Sequence, residues 1–224
     1  MVSSTEPKKI RVRYSKSGSL MFISHLDLNR TMTAAFLRSR LPIYYSQGFN
    51  PHPKIVFSQP LPVGVSSDCE YMDFSVTEDV PNEVIVEKMN SVMPSGIRFL
   101  ECYEPTSKFK DIMWAEYEFR FETEPTDELI SQVKNLLGGE VVVDKKSKSG
   151  IKTVDISPLM DVVSVEKSEE GLVIVLLLCC DELNFVGPNI PVKYLTDKIG
   201  SLSDVEFTIK RKKVLLSDKK TSFS

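Results

Sequence analysis

Ten residues, Tyr44–Pro53, carry the densest chemistry in the chain, reading Tyr-Tyr-Ser-Gln-Gly-Phe-Asn-Pro-His-Pro. They hold three aromatic rings, a histidine and three side-chain amides or hydroxyls. Gly48 permits a positive φ, and the residues before the two prolines are restricted to extended backbone. The pattern predicts a stiff loop that presents Gln47, Asn50 and His52 for binding. The alternative is a structural crossover whose rings fill the gap between a helix and a sheet.

The other histidine of the chain, His25, lies in the segment Ser24-His25-Leu26-Asp27. Ser24 is a good N-cap, and Asp27 suits the exposed amides of a first helical turn. His25 and His52 are the candidate catalytic residues, because a neutral imidazole can act as a base or hydrogen-bond donor. The alternative is that Ser24 and Asp27 only cap the helix. Two histidines and one aspartate are weak support for a metal site, so none is predicted.

A cationic strand precedes this helix. Apolar residues at positions 10, 12 and 14 alternate with Lys9, Arg11 and Arg13, and residues 1–60 contain nine Lys/Arg against two Asp/Glu. If the apolar side chains face helices, the cations project from the helix-free face, where similar sheets hold single-stranded RNA. The alternative is a charged face that pairs with the acidic strands of the protein itself.

Hydrophobic periodicity predicts the elements that position these residues. In the first half they are a strand at 9–14, a helix from Ser24 to about Arg40, strands at 54–58 and 70–76, a helix at 83–92 and a strand at 97–103. In the second half they are a strand at 115–123, a helix at 125–137, short strands at 141–144 and 153–156 around a polar loop, a hairpin of 162–166 with 172–180, a helix at 190–199 and a strand at 205–209.

The two halves share an element order, which predicts an α+β fold of two ferredoxin-like (βαββαβ) domains in tandem. Each would have an antiparallel sheet with helices on one face. The expected boundaries are 8–104 for the first domain, 105–113 for a linker, 114–216 for the second domain and 217–224 for a disordered tail.

Composition excludes several classes of protein. The longest apolar run, nine residues at 172–180, is far below the ~20 needed to cross a bilayer, and the N terminus lacks the apolar core of a secretory signal. The four cysteines lie in strand-like segments as small apolar residues, so a cytoplasmic protein is expected. Glycine-rich nucleotide loops, a Gly-x-Ser-x-Gly elbow and an iron–sulfur cysteine cluster are all missing from the sequence, which argues against a common hydrolase.

Four motifs carry a family resemblance: Phe22-Ile-Ser-His-Leu-Asp-Leu, the run from Leu41 to Ile55, Leu61-Pro-Val-Gly64 and Glu70-Tyr-Met-Asp73. Over residues 8–104 they resemble the radical SAM-linked protein family, a bacterial domain of unknown function found alone or fused to radical SAM proteins. The resemblance is looser over 114–216. It implies a separate partner that carries the iron–sulfur cluster and S-adenosylmethionine, with no cofactor on this chain. The first domain also distantly resembles ferredoxin-like CRISPR RNA-processing proteins, some of which use a histidine placed like His25.

The leading hypothesis is an RNA-binding or substrate-presenting accessory protein beside a radical SAM enzyme that modifies tRNA or rRNA. It is expected to be non-catalytic and to bind no membrane. Cations would hold phosphates, Tyr45 and Phe49 would stack on bases, and polar loop residues would read base edges. The predicted RNA-binding residues are Lys9, Arg11, Arg13, Arg30, Tyr45, Gln47, Phe49, Asn50, His52 and Lys54.

Two alternatives come from other classes of protein. One is a metal-independent RNA endonuclease or transferase that uses His25, assisted by His52 or Tyr45. The other is a protein-interaction module that docks a radical SAM partner through Tyr44–Pro53.

Overall fold

A computed structural model describes residues 6–147 and 150–224. The chain has mixed α+β structure with mostly antiparallel strands and, in the described residues, four α-helices. It divides between Phe109 and Lys110 into a first unit, residues up to 109, and a second unit, residues 110–223. The boundary falls inside the stretch 105–113 that was expected to be a linker. No helix in the described part of the chain is long and apolar enough to cross a membrane.

From residue 6 onward, the first unit contains four strands and two α-helices. They are β1 (Lys8–Lys16), α1 (His25–Ser39), β2 (Val56–Phe57), β3 (Val65–Val76), α2 (Asn82–Val92) and β4 (Ile97–Tyr103). The strand order is β4-β1-β3-β2, and all neighbours are antiparallel. Alternation places one face of each strand toward the helices.

The core of the first unit lies between this sheet and its two helices. Ile10, Val12 and Tyr14 of β1 are buried in it, as the alternating pattern predicted. Met32 from α1 and Met89 from α2 are fully buried in the same cluster. Because Ile10, Val12 and Tyr14 are turned toward the helices, Lys9, Arg11 and Arg13 lie on the opposite face of the sheet.

Helix α1 has the beginning that the sequence predicted. Ser24 has extended backbone, and its hydroxyl oxygen accepts a hydrogen bond from the Asp27 N–H at 3.1 Å. At the other end, Arg40 adopts the left-handed conformation with φ 53°, and Leu41 and Pro42 follow outside the helix. The cap and the left-handed residue therefore set the limits of the helix.

The chain between α1 and β3 follows the edge of β3 in two pieces. The Tyr44 N–H donates to the Ser75 carbonyl, and farther along β3 Val56 pairs with Asp73. Between them the chain leaves the edge and returns, joined by a bridge between Tyr45 and Pro53. The strand predicted at 54–58 is therefore only two residues long, because the chain before Val56 has left the edge of β3.

The second unit repeats the strand and helix pattern of the first, with an added hairpin. Its elements are β5 (Trp114–Phe121), α3 (Asp127–Leu137), β6 (Val142–Ser147), β7 (Gly150–Asp155), β8 (Met160–Ser168), β9 (Gly171–Cys179), α4 (Asn189–Lys198) and β10 (Phe207–Leu215). The sheet order is β10-β5-β9-β8, and β6 and β7 form a separate antiparallel pair. The polar stretch that was predicted as a loop thus belongs largely to this hairpin, although residues 148 and 149 lie outside the described residues.

Strand β10 is longer than predicted, because its cations find partners on the neighbouring strand. Lys213 lies 3.0 Å from Glu116 of β5. The sequence predicted a strand at 205–209, whereas β10 spans Phe207–Leu215. Cross-strand pairs of opposite charge stabilise a strand, so the charged residues at 210–213 are compatible with its extension beyond Ile209.

The prediction of a disordered tail at 217–224 is wrong. The Leu216 N–H donates to the Thr221 carbonyl, and the Phe223 N–H donates to the Val214 carbonyl. Asp218 closes the turn by accepting from the amides of Lys220 and Thr221. Phe223 is buried, so an apolar side chain and a carboxylate cap order the segment.

Candidate functional site

Arg11 was predicted to hold phosphate, but it is buried within the protein. Its Nε and Nη2 donate to the two oxygens of Asp73 at 2.8 and 3.1 Å, in a bidentate pair. Its Nη1 donates to the Ser107 hydroxyl, and the Phe109 ring lies 4.3 Å away. Only 1% of the side chain is exposed. The assignment of Arg11 to RNA binding is therefore wrong, because its charge is already paired with Asp73 inside the protein.

The two other cations of β1 also have carboxylate partners. Lys9 Nζ lies 3.0 Å from Asp73, and Arg13 Nε lies 2.5 Å from Glu101. Both partners come from the acidic part of the chain after residue 60. This is the alternative in which the basic strand pairs with the protein's own acidic strands. Arg13 is half-buried beside Glu101, whereas Lys9 is exposed and shares the single negative charge of Asp73 with Arg11, so the charge of Lys9 is balanced only in part.

The start of α1 places His25 against β2. The His25 and Phe57 rings meet edge to face, with centroids 5.1 Å apart and an interplanar angle of 78°. Beside them, the Ser24 hydroxyl donates to Asp27 Oδ2 at 2.7 Å, and Arg30 donates to Asp27 Oδ1 at 3.1 Å. These two hydrogen bonds, that from Ser24 first, hold the pKa of the Asp27 carboxyl below its ordinary value. Ser24 and Asp27 therefore cap the helix, which is the alternative to a catalytic role for this segment.

A small cavity lies behind His25. Its lining includes Lys16 at the end of β1, Glu70 on β3, and Leu61 from the connection between β2 and β3. Its volume of about 10 Å³ is close to the space that one water molecule needs. Lys16 and Glu70 are both buried. These two residues are the buried ionisable cluster of the first unit. Three of the four motifs that carry the resemblance contribute to the cavity lining, through His25, Leu61 and Glu70.

Sequence reasoning missed Lys16 and Glu70, although a signal for Glu70 existed. In β3, Met72, Phe74 and Val76 form the apolar, helix-facing set, and Glu70 has the same parity. A carboxylate at a core-facing position is costly unless it is paired, so Glu70 at this position indicates a role beyond packing. Lys16 likewise has the parity of the buried residues Ile10, Val12 and Tyr14, but it lies beyond the predicted strand, which ended at residue 14.

The base of the Tyr44–Pro53 loop is fixed by hydrogen bonds between Ser46 and His52. The Ser46 N–H donates to the His52 carbonyl at 2.8 Å, and the His52 N–H donates to the Ser46 hydroxyl oxygen at 3.2 Å. His52 Nδ1 lies 3.1 Å from both the Ser46 hydroxyl and the Asn50 carbonyl. The histidine therefore uses one ring nitrogen to hold the loop, while the side chain as a whole is exposed.

The tip of the loop, 47–50, is open to solvent. Gly48 has φ 141°, a conformation that strains other residues, so the glycine shapes the tip. Phe49 is fully exposed and touches no core. Tyr45, in contrast, packs partly buried against the core of the first unit. Of the two rings that were predicted to stack on bases, Phe49 alone is fully accessible.

The remaining predicted RNA-binding cations lie outside the sheet. Lys54 is exposed, and its Nζ lies 5.6 Å from the centre of the Tyr44 ring. The Arg30 side chain on α1 is 70% exposed. Among the described residues, no hydrogen bond or ring contact joins His25 to His52. The structure thus shows two separate features, the loop and the cavity behind His25, rather than one centre.

The fold and these features define a mixed α+β protein with a fixed, exposed loop and a buried ionisable cluster in its first unit. The chain belongs to the family described as "Uncharacterized protein conserved in bacteria (DUF2344)", which matches residues 9–188. Among curated proteins, no sequence matches the chain.

Among solved structures, the chain is similar to one described as "Crystal Structure of an Unknown Protein from Galdieria sulphuraria". The two are 10% identical, the match covers 92% of this chain and 99% of that chain, and the TM-score is 0.27. Nothing about function follows from a similarity of this size.

Proposed function

We propose that the protein is an RNA-binding or substrate-presenting accessory protein that acts with a radical SAM RNA-modification enzyme. The observation that carries the proposal is the fully exposed Phe49 ring on a loop whose base is fixed by Ser46 and His52. A ring held out in this way suits stacking on an unpaired base. The RNA is a tRNA or rRNA with an accessible single-stranded segment.

The loop offers recognition as well as stacking. The amides of Gln47 and Asn50 are exposed on either side of Phe49, and amide groups can donate to and accept from base edges. Because the base of the loop is already held, little conformational freedom is lost when a ligand binds. A protein without its own chemistry can use such a loop to present an RNA to an enzyme.

The domain assignment that accompanies this proposal is two ferredoxin-like domains in tandem. The orders β4-β1-β3-β2 and β10-β5-β9-β8 are the same when each is numbered within its own unit. Each unit also has a helix between its first and second sheet strands and between its third and fourth. In the second unit, the β6–β7 hairpin is an insertion after α3.

The partner and the compartment rest on different observations. A radical SAM partner follows from the resemblance of the motifs in residues 22–73 to the radical SAM-linked family. A reducing cytoplasm is supported by the four cysteines, which are buried as thiols outside any disulfide.

Binding of total cellular RNA to the purified protein tests the proposal. Phe49→Ala is expected to weaken binding by about 1–3 kcal/mol, or about 5- to 150-fold in Kd, as stacking contacts do. Leu183→Ala is the matched control, because it removes another exposed apolar side chain in a loop of the second unit. Filter binding at two salt concentrations measures both.

The proposal is wrong if the wild-type protein retains no RNA on the filter. It is also wrong if Phe49→Ala and Leu183→Ala bind RNA as tightly as the wild type.

A second candidate function, docking of a protein partner, is favoured by another observation. Phe22, Leu26 and Val63 are large apolar residues, all exposed, and a Cβ on Gly64 would lie 3.8 Å from the Phe22 ring. The exposed apolar side chains therefore extend beyond the loop. Co-purification of a radical SAM protein that survives nuclease treatment but is lost in Phe49→Ala would favour docking over RNA binding.

The third candidate is a metal-independent RNA endonuclease or transferase that uses His25. Its support is that His25 shares a cavity with Lys16 and Glu70, two further groups that can transfer protons. It predicts that the protein cuts RNA in EDTA and that His25→Ala stops the cleavage while the fold is unchanged. RNA that stays intact with the wild-type protein excludes it.

A further inference from the structure

We propose that the first unit holds the phosphates of single-stranded RNA in a groove on α1, with Arg30 and Arg38 as the phosphate ligands. This inference rests on the proposed RNA-binding function and assigns the backbone-binding surface within it. It replaces the face of β1, where Arg11 is buried and Lys9 and Arg13 have carboxylate partners.

The groove runs along α1 beside the end of α2. Its lining includes Arg30, Ala34 and Arg38 of α1 together with the apolar residues Leu20, Val92 and Pro94. The two arginines are eight residues apart, which places them about 12 Å apart along the helix axis. Ala34, the small residue between them, leaves the floor open. The groove therefore has a cation toward each end and a mainly apolar floor.

Both guanidinium groups keep donors for a ligand. Arg30 uses Nη1 for Asp27, and its side chain is 70% exposed. Arg38 uses Nη2 for the Val92 carbonyl at 3.0 Å, which fixes its position at the end of α2. A guanidinium has five N–H donors, so each arginine can still form a charge-assisted bond to a phosphate.

Charge distinguishes this groove from others on the protein. Its lining holds two arginines and no carboxylate, and Asp27, the carboxylate partner of Arg30, lies on the same helix at its margin. The groove between α2 and β4 contains three glutamates with Arg98, and a groove in the second unit contains four glutamates with Arg120. A polyanion is repelled by the last two and attracted by the first. The charge asymmetry of residues 1–60 is thus expressed on the helix rather than on the sheet.

The apolar floor favours a nucleic acid over a simple anion. Leu20, Val92 and Pro94 offer a surface for a ribose or base between two held phosphates, and Thr31 adds a hydroxyl at the groove. A single strand can place its nucleosides against such a floor, whereas the bases of a duplex are already stacked. The occupant is therefore a single-stranded segment.

The test compares two charge-matched double variants of the full chain. Arg30→Gln with Arg38→Gln removes the groove cations, and Lys88→Gln with Arg98→Gln removes two exposed cations elsewhere in the same unit. Fluorescence anisotropy with a labelled single-stranded oligouridylate, over a series of KCl concentrations, gives the salt dependence of binding. The groove variant is expected to reduce the slope of log K against log salt by about 1.4, or about 0.7 per phosphate contact. The control variant is expected to keep the wild-type slope.

The outcomes separate this inference from the proposed function. If the wild type binds the oligouridylate and the groove variant keeps its slope, the groove assignment is wrong while RNA binding stands. If the wild type binds polyglutamate or anionic lipid vesicles as tightly as the oligouridylate, the groove is a general anion surface and the inference is overturned. If the wild type binds no RNA at all, both fail. Arg30→Gln alone, at an exposed position, provides the same comparison if the double variant does not fold.

Discussion

At the scale of single residues, the buried pair of Arg11 and Asp73 is the main departure from what the sequence suggested. Arg11 lies on the face of β1 away from the helices, where a cation would ordinarily meet solvent. Instead it forms a bidentate pair with Asp73 and is covered by Ser107 and Phe109. Since a buried charge without its partner is costly, both residues are expected to matter for stability and not for ligand binding.

The change Arg11→Met tests this role. It removes the bidentate partner of the buried Asp73 carboxylate, which keeps only the exposed Lys9, so it is expected to lower the free energy of unfolding by about 3 kcal/mol. Lys9→Met is the control, because Lys9 pairs with the same carboxylate while its own side chain is 57% exposed, and it is expected to cost about 0–1 kcal/mol. Urea unfolding measures both. Equal losses in the two variants would contradict the structural role of Arg11.

At the scale of elements, a side-chain cap marks the beginning of α1 and of α3. The Ser24 hydroxyl oxygen caps α1 by accepting from the Asp27 N–H, and the Thr126 hydroxyl oxygen caps α3 by accepting from the Leu129 N–H, each at 3.1 Å. Neither α2 nor α4 has a side-chain cap of this kind; both are preceded by proline. The capping of α1 also fixes the first turn, in which His25 meets Phe57.

Ser24→Ala is expected to destabilise the protein by about 1 kcal/mol, because a donor of the first helical turn loses its acceptor. Thr126→Ala provides a matched comparison in the second unit, with a loss of similar size. Chemical unfolding gives both values. Ser24→Thr keeps a hydroxyl that can accept from the Asp27 N–H and donate to the Asp27 carboxylate, so it is expected to retain most of the stability. A loss as large as that of Ser24→Ala would contradict the cap.

At the scale of the whole molecule, several exposed carboxylates are stabilised in their charged form by the fold. Hydrogen bonds lower the pKa of four of them: from Ser24 to Asp27, from Lys167 to Asp127, from the Ser157 amide to Asp155, and from Thr221 to Asp218. The pKa of Asp218 falls to about 2. These carboxylates are spread over both units, so their titration affects the chain as a whole.

The sign of the pH dependence follows from these shifts. A carboxyl whose pKa is lower in the folded than in the unfolded state adds stability above its unfolded pKa of 3.8, and this is lost as the pH falls through the folded value. The urea midpoint is therefore expected to be steady near neutral pH and to fall between pH 3.8 and about 2. A midpoint that is constant or rises over this range would contradict the prediction. Asp218→Asn is expected to show a smaller drop at the acidic end.

Much of the fold could be predicted because its signals are local. Alternation in β1, the serine cap of α1 and the apolar stripes of the helices depend on neighbours within a few residues. The element order of both units follows from such patterns, and so does the constrained loop around Gly48. The pattern failed where pairing between distant residues overrides it, as in β10, whose lysines are balanced by glutamates of β5.

The surroundings of Arg11, Lys16 and Glu70 are set by contacts between residues far apart in the chain, and a local sequence pattern does not reveal such contacts. Asp73 lies 62 residues from Arg11 in the chain, yet it neutralises the cation that the sequence offered to phosphate. Two exposed arginines of α1, Arg30 and Arg38, line a groove instead, where Arg30 has Asp27 as its partner and Arg38 donates to the Val92 carbonyl. Residue types and spacing thus establish which elements form and that Phe49 belongs to a constrained loop. Which charges remain available to a ligand is decided by the tertiary structure, because an ion pair forms between groups that are close in space, whatever their distance along the chain.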